Sequence, residues 1–266
     1  MADKVALVTG ASRGIGAAMA LLLAKEGYAV ACAARSTRER PQQTAGTLDD
    51  VVEQIHQGGG EALAVPVDLS DRAQVAAMVE RTVAEFGRLD VLVNNAAVGT
   101  LGGLDIPLPQ HDLVMAVDFD APFVASRHAV PHLRAAGEGR ILNVSSLVAL
   151  RAFPGALSSM SYGIAKIAVE RMTVDLARQL ASDRIAVNCF RVDVGVASEG
   201  ALAHMGTADL SGWVPPSVAA EGMMWMLLQP VTYTGQRESM SHLARREGVM
   251  PTLGARSEPL PPTDFP

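Results

Sequence analysis

Val5-Ala6-Leu7-Val8-Thr9-Gly10-Ala11-Ser12-Arg13-Gly14-Ile15-Gly16-Ala17-Ala18-Met19-Ala20-Leu21-Leu22-Leu23-Ala24 starts a few residues after Met1, and its reading decides the fold. Val5 to Val8 make a short apolar run that suits a buried strand, while the stretch after Gly16 is rich in Ala, Leu and Met and favours a helix. Gly10 permits a tight turn between them, Gly14 lets backbone amides approach a pyrophosphate, and Gly16 permits close packing of the helix. A helix N-terminus attracts negative charge, so Ser12, Arg13 and Ile15 fall on a turn expected to cradle a phosphate.

Apolar runs recur downstream at residues 29–33, 62–67, 91–93, 141–144 and 185–190, with helix-like segments between them. Each crossover is long enough for a helix, which predicts a doubly wound parallel sheet in a three-layer α/β/α arrangement. No second boundary interrupts the repetition, so residues 1–266 are expected to form a single domain. Two regions stand apart: the polar stretch 36–48, and a tail from about residue 237. Pro259, Pro261 and Pro262 argue against regular structure in that tail, which is expected to be an irregular end or a strap over a neighbouring subunit.

Hydrophobic residues make up 49% of the chain and aromatics only 4%, which suits a core of Ala, Val, Leu and Ile. A net charge of −6 would repel a phosphate backbone, so nucleic acid is not an expected partner. Cys32 and Cys189 lie inside apolar runs without metal-ligand spacing, which predicts buried thiols, no metal, and a reducing, cytoplasmic setting. Gly10 breaks the first apolar run before it reaches signal length, and no export signal or membrane span is expected.

Tyr162-Gly163-Ile164-Ala165-Lys166 places a phenol and an ammonium four residues apart, hence on one face of a helix. A free tyrosine titrates near 10, so acid/base work close to neutrality requires positive charge beside it. Together with Thr9-Gly10-x-x-x-Gly14-x-Gly16, this pair resembles the short-chain dehydrogenase/reductase family. Asp68-Leu69 resembles that family's adenine-binding acid, and Asn94-Asn95-Ala96-Ala97 resembles its Asn-Asn-Ala-Gly, with Ala97 in place of glycine. From the residues alone, Asp68 is equally a turn or N-cap residue and Asn94 a sheet-bracing amide.

The resemblance implies a Rossmann-like oxidoreductase that moves hydride between a nicotinamide cofactor and a small carbonyl or alcohol. Tyr162 would be its general acid/base, Ser146 the carbonyl-orienting hydroxyl and Lys166 the group holding ribose, with Asn95, Ala96 and Val194 against the cofactor. Homodimers or homotetramers are implied through helices equivalent to residues 122–135 and 162–180. The chain between Ser146 and Tyr162 is longer than the family pattern, and Ser158, Ser159 and Ser161 are competing hydroxyls on an apparent loop.

Family members using NAD(H) carry an acid where this chain has Ala34, followed by Arg35. Arg35 and Arg13 offer guanidinium contacts to a 2′-phosphate, which predicts NADP(H) in preference to NAD(H), while Arg38 and Arg40 fit surface roles. Two departures stand out. Asp118 replaces the family's relay asparagine, and Val192-Asp193 replaces its Pro-Gly, bringing a charge for which Arg191 is a candidate partner. These departures motivate a second reading, a dinucleotide-binding regulator with little turnover. Residues 96–104, 147–161 and 195–213 are expected to frame the substrate, with Phe153, Leu157, Met160, Met205 and Trp213 as apolar lining or core. His204 and His242 are polar contacts or solvated side chains.

Overall fold

The computed structural model describes residues 3–153, 158–205 and 210–254. Chain order runs β1 (Lys4–Thr9), α1 (Gly14–Lys25), β2 (Tyr28–Ala34), α2 (Leu48–Gln57), β3 (Ala62–Pro66), α3 (Arg72–Phe86) and β4 (Val91–Asn94). It continues with α4 (Leu108–Met115), a π-turn (Ala116–Asp120), α5 (Ala121–Ala135), β5 (Gly139–Ser146), α6 (Met160–Leu180) and β6 (Ile185–Val192). Last come α7 (Glu199–Met205), α8 (Pro216–Leu228), β7 (Arg237–Ser239), α9 (Met240–Glu247) and α10 (Pro251–Gly254). The strands form one parallel, seven-stranded sheet in the order β3-β2-β1-β4-β5-β6-β7. This is the Rossmann-like, doubly wound architecture expected from the apolar runs.

Successive residues of a strand face opposite ways, and the sheet uses both faces. Ala6, Val8, Val30, Cys32, Val93, Leu142 and Phe190 pack on the side of α1 and α8. Val5, Leu7, Ala29, Ala31, Leu92, Ile141 and Val187 pack on the side of α3 and α5. Both cysteines are buried and unbridged, and burial pushes each thiol up to about 12. Strand order reverses between β1 and β4, which opens a crevice at the carboxyl ends of the strands, where ligands of such sheets bind.

The expected irregular tail from about residue 237 is corrected. Residues 237–254 carry β7, α9 and α10, because the segment before them is laced to β6. Asn188 Nδ2 donates to the Tyr233 carbonyl at 2.7 Å, Gly235 N–H to Val187 at 2.8 Å, and Cys189 N–H to Gln236 at 2.8 Å. Ser239 then caps α9 by accepting from His242 N–H. The prolines at 259, 261 and 262 lie outside the described residues. Among the described residues, no helix is long and apolar enough to cross a membrane, and no cluster of His, Cys, Asp and Glu suits a metal ion.

Candidate active site

At the crevice, the Gly-rich turn and the end of β4 are locked together. Thr9 Oγ1 accepts from Asn95 N–H at 3.0 Å and Ala96 N–H at 3.1 Å, and Asn95 Nδ2 donates to the Thr9 carbonyl at 2.8 Å. Asn94 braces the sheet instead, donating to Asn143 Oδ1 at 2.8 Å. A Cβ on Gly16 would lie 2.2 Å from the Gly10 carbonyl, so only glycine lets α1 start this close to the turn. Gly10 and Gly14 both have positive φ, at 68° and 58°.

Gly14 N–H donates to the carboxylate of Glu199 at 2.9 Å. A carboxylate here is an internal stand-in anion, held by the amide that the turn would offer a phosphate. Ser12 is buried and Ile15 half-buried beside it. Arg13 Nη2 donates to the Gly46 carbonyl at 3.2 Å, so the polar stretch after β2 folds back over the turn. Burial lowers the Arg13 pKa, Glu199 opposes this, and the neighbouring charge of Arg35 adds to it. Arg35 is exposed at the end of β2, and its charge also reaches Asp68. Asp68 accepts from Ser70 N–H at 3.0 Å and Ser70 Oγ at 2.8 Å, bonds that hold its carboxyl below the usual range. Leu69 packs into the core beside it. Arg38 is engaged elsewhere, on Asp50 and Glu53 of α2.

The second cluster lies where β5 ends and α6 begins. Tyr162 and Lys166 sit one turn apart on α6, with Lys166 Nζ 5.3 Å from the centre of the Tyr162 ring. Ser146, the last residue of β5, stands near enough to the Tyr162 hydroxyl to oppose the rise in its pKa. The sequence therefore brings these side chains together across the long 147–159 segment. Ser161 is on α6 rather than on a loop; it is buried and lies 2.9 Å from His111 Nδ1, so it is not free to compete with Ser146. Ser158 and Ser159 face the 98–104 segment, where Gly102 N–H donates to the Ser158 carbonyl at 2.7 Å.

Asp118 sits in the π-turn with no solvent exposure, and the extra residue per turn aims its carboxylate at α6. One oxygen accepts from Val98 N–H at 2.8 Å and the other lies 3.2 Å from Lys166 Nζ. Lys166 also donates to the Val144 carbonyl at 3.1 Å. Its pKa is raised: burial alone would lower it, but Asp118 and Tyr162 outweigh that. Tyr162 is raised above the ordinary value as well, chiefly by burial, with Lys166 and the nearby Ser146 hydroxyl opposing and Asp118 adding.

Arg191 is not the partner of Asp193. Its guanidinium is bidentate on Glu170, at 2.8 and 2.6 Å, because its β6 position turns inward toward α6. Asp193 instead accepts from Ser241 N–H at 2.9 Å and from the Ser241 hydroxyl, which ties the crevice rim to the first turn of α9. Glu170, Ser241, Glu199 and Gly46 were absent from the sequence reading; no local motif marks them, since each acts on a residue distant in the chain. Val194 packs on the core below the rim, and Trp213 covers Gly195, where a Cβ would lie 2.6 Å from the indole. His242, exposed on the first turn of α9, lies 3.6 Å from the buried carboxylate of Glu238. Leu157 and the side chains of His204 and Met205 fall outside the described residues.

The family model described as short chain dehydrogenase matches residues 4–196. A hydroxysteroid dehydrogenase-like protein 2 from Mus musculus is 31% identical over 252 residues, covering 94% of this chain and 50% of that protein. The chain thus spans about half the length of that relative. A cis-4-hydroxycyclohexanecarboxylate dehydrogenase from Sinomonas cyclohexanicum is 38% identical over 194 residues, covering 70% of this chain and 71% of its own. Among solved structures, a short chain dehydrogenase from Burkholderia cenocepacia in complex with NADP aligns with a TM-score of 0.76 and 32% identity, covering 90% of this chain and 96% of that one.

Proposed function

The chain belongs to the short-chain dehydrogenase/reductase family of oxidoreductases, and from that premise we propose that it interconverts a carbonyl and an alcohol with NADP(H) in preference to NAD(H). The observation that carries the reading is Tyr162 with the Lys166 ammonium and the Ser146 hydroxyl both close to it.

The residues present fit a dinucleotide, because the amide at Gly14 already holds a carboxylate and two arginines stand beside it. Gly10, Ser12, Arg13, Gly14, Ile15 and Gly16 would hold the diphosphate, and Arg35 with Arg13 the 2′-phosphate. Asp68 and Leu69 would meet the adenine, and Asn95, Ala96 and Val194 the nicotinamide half. When bound, the reduced nicotinamide supplies a hydride to the carbonyl carbon. Ser146 orients the substrate oxygen by donating a hydrogen bond, and Tyr162 delivers the proton that completes the alcohol. A phenol held above its ordinary pKa stays protonated at neutral pH, which suits reduction. Lys166 donates to the Val144 carbonyl and is ion-paired with Asp118, and a free N–H of its ammonium would serve a ribose hydroxyl.

The name of the Sinomonas relative denotes a cyclic secondary alcohol, which makes cyclic ketones the first compounds to test. We further propose a cytoplasmic protein that pairs into homodimers or homotetramers through α5 and α6. The buried Asp118–Lys166 pair favours one rival, a dinucleotide-binding regulator with little turnover. An assay of NADPH and NADH oxidation over cyclic ketones, aldehydes and quinones separates the two. The enzyme consumes NADPH faster than NADH, whereas a regulator binds NADPH and consumes none.

A further inference from the structure

Directly beneath the Tyr162 cluster lies a polar group that the chemistry above does not use. Glu170 is wholly buried, Arg191 is 6% exposed and Ser145 2%. Ser145 Oγ donates to Glu170 Oε1 at 2.7 Å while Arg191 grips both carboxylate oxygens. Ser145 and Arg191 are register partners on β5 and β6, so Glu170 fastens α6 to two adjacent strands at one level of the sheet.

A buried ion pair is a weak source of stability, since the cost of drying two charges offsets most of their attraction, and apolar residues of equal volume serve as well. What such a pair does supply is direction. Bidentate guanidinium–carboxylate bonds fix both groups in a plane, and Ser145 takes a second bond on Oε1 of Glu170. Each arm is one step from the crevice. Ser145 precedes Ser146, Glu170 lies one helical turn beyond Lys166, and Arg191 precedes the Val192-Asp193 rim that Ser241 anchors.

We propose that Glu170 is a positioning residue: through Ser145 and Arg191 it fixes the end of β5 against α6, so that the Ser146 hydroxyl meets Tyr162. The inference rests on the reading of Ser146 and Tyr162 given above. The expected dependence is steep, since a displacement of about 1 Å can cost roughly 10²-fold in rate.

Ser145→Ala is the discriminating variant because it cuts the tether to β5 and leaves the Glu170–Arg191 pair intact, so the core stays charge-paired. Its kcat and KM are measured on a ketone that the wild type reduces, beside Ser146→Ala and the double variant, with NADPH affinity and thermal unfolding followed in parallel. Positioning predicts that Ser145→Ala lowers kcat by about 10-fold or more, moves NADPH affinity by less than about twofold, and adds less than about twofold to Ser146→Ala. Wild-type kcat in Ser145→Ala, or the same loss repeated in full on top of Ser146→Ala, overturns the positioning role. A Ser146→Ala enzyme with undiminished kcat overturns the underlying assignment of Ser146, and the positioning role with it.

Discussion

The two halves of the crevice are built by different means. On the β1 side, the turn from Thr9 to Gly16 works through backbone: amides, positive φ angles and missing side chains, all within one short stretch of chain. On the β5 side, side chains from five separate segments meet, and three of the contacts involve a charged group: Asp118 on Lys166, Glu170 on Arg191, and Asp193 on Ser241. A backbone seat recognises what every dinucleotide shares. A side-chain cluster with buried charges sets protonation and orientation, and its tolerance of substitution is correspondingly small.

The largest expected effect sharpens this division. Tyr162→Phe removes the proton donor from the β5 side and leaves the β1 side untouched, so turnover should fall by about 10²-fold or more. NADPH affinity, read by fluorescence titration, should stay near wild type. Near-normal turnover would break the assignment of roles to the two halves.

Arg35→Ala probes the β1 side. Loss of a charge-assisted contact to the 2′-phosphate should weaken NADPH binding by about 1.5–3 kcal/mol and leave NADH little changed. Calorimetric titration of both cofactors checks this, and equal losses would remove Arg35 from the phosphate site.

Glu199 links distant parts of the chain, since α7 lies in the 195–213 stretch expected to frame the substrate while its carboxylate sits on Gly14 of the β1 side. Any phosphate seated on that amide must displace it. Glu199→Ala should therefore tighten NADPH binding by roughly 2- to 5-fold, the scale of a modest helix-terminus interaction. Unchanged affinity in the same titration would mean that the carboxylate leaves the turn without cost.

The smallest effect is a displacement along the pH axis. Asp118 raises the Tyr162 pKa, and alcohol oxidation needs the phenolate, so activity in that direction should grow as pH rises. Asp118→Asn removes one raising influence, while the Val144 carbonyl still holds the Lys166 ammonium. The acidic limb of kcat/KM for oxidation should move to lower pH. An unmoved limb would assign Asp118 a purely structural role, bracing Val98 against α6.

The same contrast explains what could be read from sequence. The fold was legible because each inner strand is a continuous apolar run and each crossover is long; β7 was not, being three residues long and held by partners on β6. The β1 side was legible because its residues are contiguous. On the β5 side, Tyr162 and Lys166 share a helix face and announce themselves, and the departure at Asp118 pointed to a charge near Lys166. The partner of Asp193 was misread because Arg191 is near in sequence, whereas Ser241 is near in space. Glu170 carries no signal at all, since a buried glutamate on a helix looks like a solvated one until its neighbours are known.

The central claim is that this crevice passes hydride to a carbonyl while Tyr162 supplies the proton. Reduction of a cyclic ketone with NADPH deuterated at the transferable position of the nicotinamide tests it most directly, with the alcohol read by mass spectrometry. The account predicts one deuterium on the carbinol carbon of the wild-type product, and a yield at least about 10²-fold lower for Tyr162→Phe at equal cofactor occupancy. A wild-type protein saturated with the labelled cofactor that yields no labelled alcohol from any carbonyl in the panel would contradict it.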